Sequence, residues 1–206
     1  MILDLVIKAI RTDEVISGAI QDLAAGANSR IALPKGAIPY VAGVVAQSKP
    51  VVLITATERA AQDIASSLRD FITESDIAVF PAWETLPHER LSPSSDTVGR
   101  RMAVLRRLAH PEDLGPIGVL VTSARAFIQP IVADLGEIPA LKITAGEILD
   151  LEQLVTELAR LGFERVELVD RRGQFAVRGG IVDVFPPAEE HPLRVEFWGD
   201  TVEEIR

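Results

Sequence analysis

The chain has 206 residues, of which 48% are hydrophobic and 25% are charged. This composition is typical of a globular protein with ample material for a core, and the length fits one large or two small domains. Cysteine is absent, which excludes disulfides and thiolate metal sites and suits a reducing cytoplasm. No apolar run approaches the roughly 18 residues that span a bilayer, and the first basic residue, Lys8, follows the first apolar run instead of preceding it as in a signal peptide. We therefore expect a cytoplasmic protein with no membrane partner.

The net charge of −9 is unevenly distributed along the chain. Residues 1–135 carry 13 basic and 15 acidic residues, whereas residues 136–206 carry 8 basic and 15 acidic residues. Affinity for DNA depends mainly on neutralising phosphates, so neither part has the composition of a generic DNA binder. The arginines between Arg165 and Arg178 form a local positive cluster in an acidic background, which favours a defined partner over a diffuse polyanion.

Residues 1–135 alternate helix and strand signals. The predicted helices cover residues 12–23, 38–47, 58–71 and 94–108, and the predicted strands cover residues 30–33, 51–55, 77–80 and 119–122. Thr57 is the predicted N-cap of the third helix. The run from Val51 to Thr55 is continuously apolar, as expected of a strand that is buried in a parallel sheet. The alternation predicts an α/β domain with a parallel sheet and helices on both faces.

The pattern changes near residues 130–139, so we place a domain boundary between residues 135 and 136. A strand is predicted at residues 141–144. A helix then begins at Asp150, which forms a capping-box pattern with Gln153, and it ends at Gly162. Strands at residues 165–169 and beyond predict a small α+β domain, one helix against an antiparallel sheet. Residues 202–206 are strand-like with no closing element after them, so we expect an N-terminal fragment of a longer protein, truncated at the C-terminus of this domain.

Residues 170–197, DRRGQFAVRGGIVDVFPPAEEHPLRVEF, predict three short strands. Each of the runs 175–178, 181–185 and 193–197 alternates apolar and polar residues, as half-buried strands do. In the second strand the alternation places two sets of residues on opposite faces: Ile181, Asp183 and Phe185 on one, Val182 and Val184 on the other. Because Asp183 shares a face with Phe185, we expect that face to be partly exposed. Arginine offers a flat fork of donors for carboxylates or phosphates, and the stretch has neither a nucleophile–base pair nor a metal cluster. It therefore predicts a surface that binds an acidic partner.

Two runs of the sequence carry a specific resemblance. The run RRGQFAVRGGIVDVFPP, followed by RVEFWGD, resembles a module shared by the bacterial excision-repair helicase UvrB and the transcription-repair coupling factors, or Mfd proteins. The run FPAWETLPHERLSPSSDTVGRRMAVLRRL, residues 80–108, resembles the coupling factors in particular, which carry W-E-T-L-P, then S-P and an arginine-bearing helix. Together the two runs cover roughly a quarter of the chain, in family order.

The resemblance implies the N-terminal, UvrB-like region of a transcription-repair coupling factor. It implies a degenerate helicase-like domain without a P-loop, followed by a UvrB-like domain that binds UvrA, the damage-recognition ATPase. In the complete protein it further implies RNA polymerase and double-stranded DNA as partners, and a C-terminal domain that masks the UvrA site. ATP and magnesium would serve a translocase outside this chain. For residues 1–206 the expectation is a non-catalytic recruitment module with no cofactor.

The sequence lacks the P-loop that a nucleotide-binding α/β domain requires. That motif needs a glycine-rich turn, a lysine for the phosphates and a hydroxyl for magnesium. The candidate segment, residues 33–47, contains Gly36 and Gly43 but no Gly-Lys-Ser/Thr, and Lys35 precedes the first glycine. UvrB keeps a working P-loop, so this absence favours the coupling factors. Two alternatives stay open: a divergent UvrB-type ATPase fragment, and a DNA-binding domain that uses the arginines between residues 100 and 107.

The resemblance and the strand pattern together nominate four UvrA-contacting residues: Arg165, Arg178, Phe185 and Arg194. Arg178 is the first candidate, and its structural alternative is a solvated arginine at a strand end. Phe185 could instead fill the core, and Arg194 could instead pair with a neighbouring strand.

Other conspicuous residues have structural interpretations. Arg171 and Arg172 are predicted to be solvated turn residues. The arginines at positions 100, 101, 106 and 107 are predicted to form the polar face of a helix. The three histidines, His88, His110 and His191, are too far apart in sequence for metal-ligand spacing, so no metal site is predicted.

Overall fold

The computed structural model describes residues 2–85, 92–187, 189 and 191–206. By the contacts between their residues, the chain forms two compact units: residues 1–83 with 104–136, and residues 84–103 with 137–206. The predicted boundary between residues 135 and 136 stays a prediction. Residues 86–91, which include His88 and the middle of the second sequence motif, lie outside the described residues.

The described helices and strands alternate in the first part of the chain, and strands predominate in the last part. The helices are α1 (Ile2–Thr12), α2 (Glu14–Ala24), α3 (Ile38–Ala46), α4 (Glu58–Leu68), α5 (Ser95–Ala109), α6 (Pro111–Leu114), α7 (Ala124–Ile128) and α8 (Leu151–Arg160). The strands are β1 (Val51–Thr55), β2 (Ile77–Phe80), β3 (Val119–Ser123), β4 (Glu164–Arg165), β5 (Gln174–Arg178), β6 (Ile181–Val184), β7 (Leu193–Trp198) and β8 (Thr201–Ile205). Within the part of the chain that is described, no helix is long and apolar enough to cross a bilayer.

The first unit contains a parallel sheet of order β1-β3-β2. The Thr57 side chain accepts a hydrogen bond from the backbone N–H of Ala60 and so begins α4. One face of the sheet packs against the buried small and apolar residues of α4, Ala61, Ala65 and Leu68. The other face packs against Val104 of α5 and Ala126 of α7. The predicted α/β domain with helices on both faces of a parallel sheet is therefore confirmed.

Three strand predictions in the chain fail in detail. Residues 30–33 and 141–144 form no strand, because a short apolar run becomes a strand only where a partner strand lies beside it. The run of β1 is a strand, but β1 lies at one edge of the described sheet, and Val52 and Ile54 are 54% and 46% exposed. A continuously apolar run thus predicted the strand correctly and its burial wrongly.

The second unit contains a five-stranded sheet of order β4-β5-β6-β7-β8. The pairs from β5 to β8 are antiparallel, whereas β4 pairs with β5 in parallel, so the predicted antiparallel sheet is a mixed one. The strand predicted at residues 165–169 is reduced to the two residues of β4. One face of the sheet packs against α8, whose N-terminus is capped by Asp150 and whose end is followed by Gly162 with φ +87°. This is the predicted arrangement of one helix on a sheet.

We expect α8 to stabilise the second unit mainly through its apolar stripe. Leu154 is almost fully buried and belongs to the core cluster, so Leu154→Ala should lower the free energy of unfolding by about 2–5 kcal/mol. Leu161→Ala, at the partly exposed end of the same helix, is the matched control and should cost less than about 1 kcal/mol. Urea unfolding with residue-resolved hydrogen exchange in β5–β7 measures both changes. Equal losses for the two variants would contradict this account of the core.

Candidate protein-binding surface

The sheet of the second unit has one face in the core and one face with polar side chains. In β6, Val182 and Val184 are buried, whereas Ile181 and Asp183 are partly exposed, as is Phe185 immediately after the strand. The predicted division of these residues between two faces is confirmed. The face opposite α8, which we call the outer face, presents Arg178, Ile181, Asp183, Phe185, Arg194, Glu196 and Trp198.

Strand register determines which of the nominated residues lie together. Arg178 pairs with Ile181, which pairs with Glu196, and Asp183 pairs with Arg194. Because paired residues share a face, Arg178 and Arg194 belong to the same surface. Arg165 pairs with Phe175, which is buried in the core with α8. The register therefore assigns Arg165 to the edge of the α8-covered side, away from the other three nominated residues.

Arg194 and Asp183 form a bidentate ion pair across β6 and β7. The Arg194 Nε donates to Asp183 Oδ1 at 2.7 Å, and Nη2 donates to Oδ2 at 3.0 Å. The hydrogen bonds from Arg194 hold the pKa of Asp183 below its ordinary value, and those to Asp183 raise the pKa of Arg194. This is the cross-strand pairing that the sequence left as the structural alternative for Arg194. Its contact with a partner stays a prediction.

Arg178 and Arg165 differ from the other arginines of the second unit in their electrostatic partners. Several of these arginines lie within 4 Å of a carboxylate: Arg100 and Arg172 of Asp96, Arg160 of Glu157, Arg171 of Asp170, and Arg206 of Glu196. Arg178 instead donates one hydrogen bond to the backbone carbonyl oxygen of Glu167, at 2.5 Å. Among the described residues, no carboxylate lies within 4 Å of Arg178 or Arg165, and both arginines are exposed. Arg178 acts on Asp183 at longer range, as one of the charges that lower the pKa of that carboxyl group. Their charges are therefore available to an external group.

Phe185 is partly covered by Arg172. The guanidinium carbon of Arg172 lies 4.9 Å from the centre of the Phe185 ring, a cation–π distance. Arg172 Nε also donates to the carbonyl oxygen of Glu189 at 3.0 Å, and Nη1 lies 3.1 Å from Asp96 Oδ1. The prediction that Arg172 is a solvated turn residue is therefore wrong, whereas its neighbour Arg171 is 81% exposed, as predicted.

The two sequence motifs meet within the second unit. A Cβ atom added to Gly99 would lie 2.4 Å from the backbone carbonyl of Pro187, and one added to Gly173 would lie 2.9 Å from Ser95 Oγ. Only glycine permits approaches this close. With the Arg172–Asp96 ion pair, these contacts join the first turns of α5 to the loops around the sheet. Sequence reasoning missed this contact because nothing in a linear pattern pairs Asp96 with Arg172.

Glu84 of the second motif organises the start of α5. Its Oε1 accepts hydrogen bonds from the hydroxyls of Ser94 and Thr97. Burial alone would raise the pKa of Glu84, but these hydrogen bonds and those from two backbone N–H groups hold it below its ordinary value. Ser94 in turn accepts from the N–H of Thr97 and caps the helix. The spacing between Glu84 and Ser94 in the motif is thus explained by the capping of α5, in which Glu84 holds the capping serine.

The arginines of α5 are not a uniform polar face. Arg101 is almost fully buried, which contradicts the prediction for that residue. Arg107 donates to the backbone carbonyl oxygens of Ser75, Gly115 and Pro116. Arg101 is therefore inaccessible to a phosphate group, and the donors of Arg107 are already hydrogen-bonded to the backbone.

The histidines give no strong indication of a metal site. Ligand atoms of His110, Glu112 and Asp113 lie within 4.8 Å of one another at the four-residue helix α6. Both carboxylates are exposed, and clusters of exposed acidic side chains are common without a metal ion. His191, which the structure also describes, is exposed.

Comparison with known proteins identifies the family. Residues 141–206 match the UvrB interaction domain family. A transcription-repair-coupling factor of Mycobacterium tuberculosis (strain CDC 1551 / Oshkosh) is 50% identical over 176 residues, which cover 84% of this chain and 14% of that relative. The chain belongs to the transcription-repair-coupling factor family. Its predicted resemblance to that family and to UvrB is confirmed.

More distant members of the transcription-repair-coupling factor family match over a similar span. The factor of Bacillus subtilis (strain 168) is 29% identical over 160 residues, 77% of this chain and 13% of its own length. The factor of Escherichia coli (strain K12) is 29% identical over 158 residues, 76% of this chain and 13% of its own length. The chain thus spans about one seventh of the relatives it matches. The UvrB interaction domain match includes all four nominated residues.

Arg172 is expected to hold the start of α5 against the sheet loops. Arg172→Ala removes the ion pair to Asp96, the hydrogen bond to Glu189 and the contact with Phe185, and should lower the free energy of unfolding by about 1–2 kcal/mol. Arg171→Ala removes the same charge at an exposed position and should change it by less than about 0.5 kcal/mol. Chemical denaturation compares the two variants. If both behave alike, the contacts of Arg172 contribute nothing measurable.

The Asp183–Arg194 pair predicts a pH-dependent stability. The pKa of Asp183 is lower in the folded state than its ordinary value of 3.8. The ionised carboxylate therefore stabilises the fold at pH values above 3.8, and this contribution is lost as the pH falls through the folded-state pKa. Asp183→Asn should therefore destabilise the protein at neutral pH, and the difference in unfolding free energy from the wild type should shrink as the pH falls below 3.8. Urea unfolding at a series of pH values measures this. A pH-independent loss of stability in Asp183→Asn would contradict the assignment.

Proposed function

We propose that this chain is a recruitment module that binds the nucleotide-excision-repair protein UvrA by mimicking UvrB. The observation that carries the proposal is Arg178. It lies on the outer face of a UvrB interaction domain, it is exposed, and no carboxylate among the described residues lies within 4 Å of it. Binding of UvrA would deliver excision repair to lesions at which RNA polymerase has stalled.

Electrostatics support an acidic contact on the partner. Arginine presents five donors in a planar fork that matches a carboxylate with two parallel hydrogen bonds. Residues 136–206 are strongly acidic overall, so an exposed arginine outside any close ion pair is a local exception to the charge of its own domain. Such an exception favours a partner with a matching carboxylate over a diffuse anionic surface.

The other nominated residues have secondary functions in the proposed interface. Arg194 shares the outer face with Arg178 but is already held by Asp183, so it would orient that carboxylate and add positive charge. Phe185 offers one ring face, since Arg172 lies over the other. Arg165 belongs to the short edge strand β4 and would be reached by a partner that extends around that edge.

We infer that the first unit is a degenerate helicase-like scaffold without catalytic activity or a bound cofactor. The segment from residue 33 to 47 forms a 3₁₀ turn and α3 and does not follow a strand. The connection from β1 to α4 consists of Ala56 and Thr57 alone, and α7 follows β3 with no intervening residue. A phosphate cradle needs a longer, glycine-rich turn with a lysine. A cavity of about 660 Å³ lies at this end of β1 and is lined largely by apolar residues.

The functions of the complete protein are proposed from family membership. ATP and magnesium would drive a translocase in domains outside this chain, with double-stranded DNA and RNA polymerase as partners. A C-terminal domain would mask the UvrA site in the resting protein. Neither a UvrB-type ATPase nor DNA binding through α5 is favoured. The β1–α4 connection is too short for a P-loop, Arg101 is buried, and Arg107 is hydrogen-bonded to three backbone carbonyl oxygens.

Removing Arg178 should weaken UvrA binding strongly. Truncation of a charged residue at the centre of an interface costs about 2 kcal/mol or more, roughly a 30-fold loss of affinity. We therefore expect isothermal titration calorimetry of the chain with UvrA to show this loss for Arg178→Ala. Arg178→Lys should be intermediate, because it keeps the charge and loses the fork.

Arg171→Ala is the matched control, since it removes another exposed arginine seven positions away. It should bind like the wild type. The thermal stability of Arg178→Ala should stay close to that of the wild type, because the exposed side chain makes one hydrogen bond, to the backbone of Glu167, and lies beyond ion-pair distance of Asp183. Absence of binding by the wild type would refute the proposed function. Unchanged binding by Arg178→Ala would refute the assignment of Arg178 alone.

A further inference from the structure

Two large apolar side chains are exposed in one row at the tip of the β7–β8 hairpin, one from the hairpin and one from the segment that precedes α8. Trp198 pairs with Thr201, and Thr201 forms an isolated β-bridge with Ile148 on its other side. Because paired residues share a face, Trp198 and Ile148 flank Thr201 on the outer face. Trp198 is 79% exposed and Ile148 is 84% exposed. We call Ile148, Thr201 and Trp198 the apolar ledge.

The backbone keeps the ring of Trp198 uncovered. The turn beside it consists of Gly179 and Gly180, and Phe197 N–H donates to the Gly180 carbonyl oxygen at 2.7 Å. A Cβ added to Gly180 would lie 2.8 Å from the Phe197 oxygen, and Gly179 has φ +60°. Side chains are therefore disfavoured at both positions, and the turn offers nothing that would shield the indole.

The apolar ledge is close to Arg178 on the same face. Trp198 lies two residues beyond Glu196, which belongs to the row of Arg178 and Ile181. Arg178 is in β5 and Trp198 is in β7, two strands away, and Trp198 is displaced by two residues along its strand. With ordinary strand spacing and rise, their Cα atoms are about 12 Å apart. An interface that buries about 800 Å² on each partner covers both positions.

We propose that the apolar ledge is the hydrophobic anchor of the same interface. Trp198 would insert into an apolar pocket on UvrA, beside the UvrA carboxylate that binds Arg178. The inference rests on the proposed function. Tryptophan and arginine are the residue types most enriched among interface hot spots, because each combines a large contact area with a directional polar group. An exposed indole next to an exposed isoleucine leaves a patch of apolar surface in water that a partner would cover.

Charge distinguishes UvrA from a second copy of this chain as the occupant. Asp200, Glu203 and Glu204 lie beside the apolar ledge on the β7–β8 hairpin and are exposed. A two-fold contact through the ledge would place each of these groups near its own equivalent, because such interfaces are self-complementary. Like charges brought together in this way oppose association. A heterologous partner meets no such restriction.

The test is calorimetric titration of UvrA with matched variants of the 206-residue chain. Trp198→Ala should weaken binding at least about tenfold, and Trp198→Phe should retain most of it, because an aromatic ring still fills the pocket. Ile148→Ala should weaken binding about threefold or more. Its control is Ile128→Ala, which removes the same atoms from a residue that is 79% exposed in the first unit, and it should bind like the wild type. All three positions are exposed, so thermal unfolding of the four variants should be unchanged.

The outcomes separate this inference from the proposed function. Binding by the wild type that is lost in Arg178→Ala but retained in Trp198→Ala overturns the apolar anchor and leaves UvrA recruitment standing. No binding by the wild type overturns both. Sedimentation equilibrium of the wild-type chain adds a third outcome, since a dimer that disappears in Trp198→Ala would assign the ledge to self-association instead of UvrA.

Discussion

One-sided burial of a short sheet is the constraint on which the candidate surface depends. Residues with period two in β5, β6 and β7 direct Phe175, Val182 and Val195 into one core with α8. Because side chains alternate strictly along a strand, the intervening residues must occupy the opposite face whatever their chemistry. The outer face is thus a consequence of the core. Its charged residues are held in register by buried neighbours that a partner never touches.

Ion pairs with carboxylates distinguish the arginines that have a structural role from those whose charge is available to a partner. Arg194 is held by Asp183, Arg172 by Asp96 and Arg206 by Glu196. Each pair removes one positive charge from the potential that a partner would meet, in a domain with an excess of acid. Arg178 and Arg165 have no such carboxylate among the described residues, so the selection of possible contact residues follows from local chemistry as well as from family membership. The register adds that these two arginines occupy different sides of the sheet, so a partner would have to contact the β4 edge as well as the outer face in order to reach both.

The second sequence motif illustrates how a conspicuous run can serve structure and not chemistry. Glu84 accepts hydrogen bonds from Ser94 and Thr97, and Gly99 permits the close approach of Pro187. These contacts fasten the start of α5 to the loops of the UvrB interaction domain. Arg172 completes the attachment through Asp96 while lying over Phe185. The motif that is particular to the coupling factors therefore supports the module that is shared with UvrB.

The sequence by itself determined the period-two strands, the face of β6 on which Asp183 and Phe185 lie, the capped helix α8 and the family. These features depend on residues near one another in the chain, where alternation and capping act directly. The exposed Trp198 was also within reach, since its phase with Val195 and Phe197 assigns it to the outer face. Only the tertiary structure decided that residues 30–33 and 141–144 form no strand, that β4 runs parallel to β5, and that Arg101 and Arg172 are structural. Each of these features depends on a residue or strand that is distant in the sequence, such as the carboxylate of Asp96 or the ring of Phe185 for Arg172. Burial and charge bring such partners together in the folded protein. Their spacing along the chain follows no local pattern, so the sequence does not predict them.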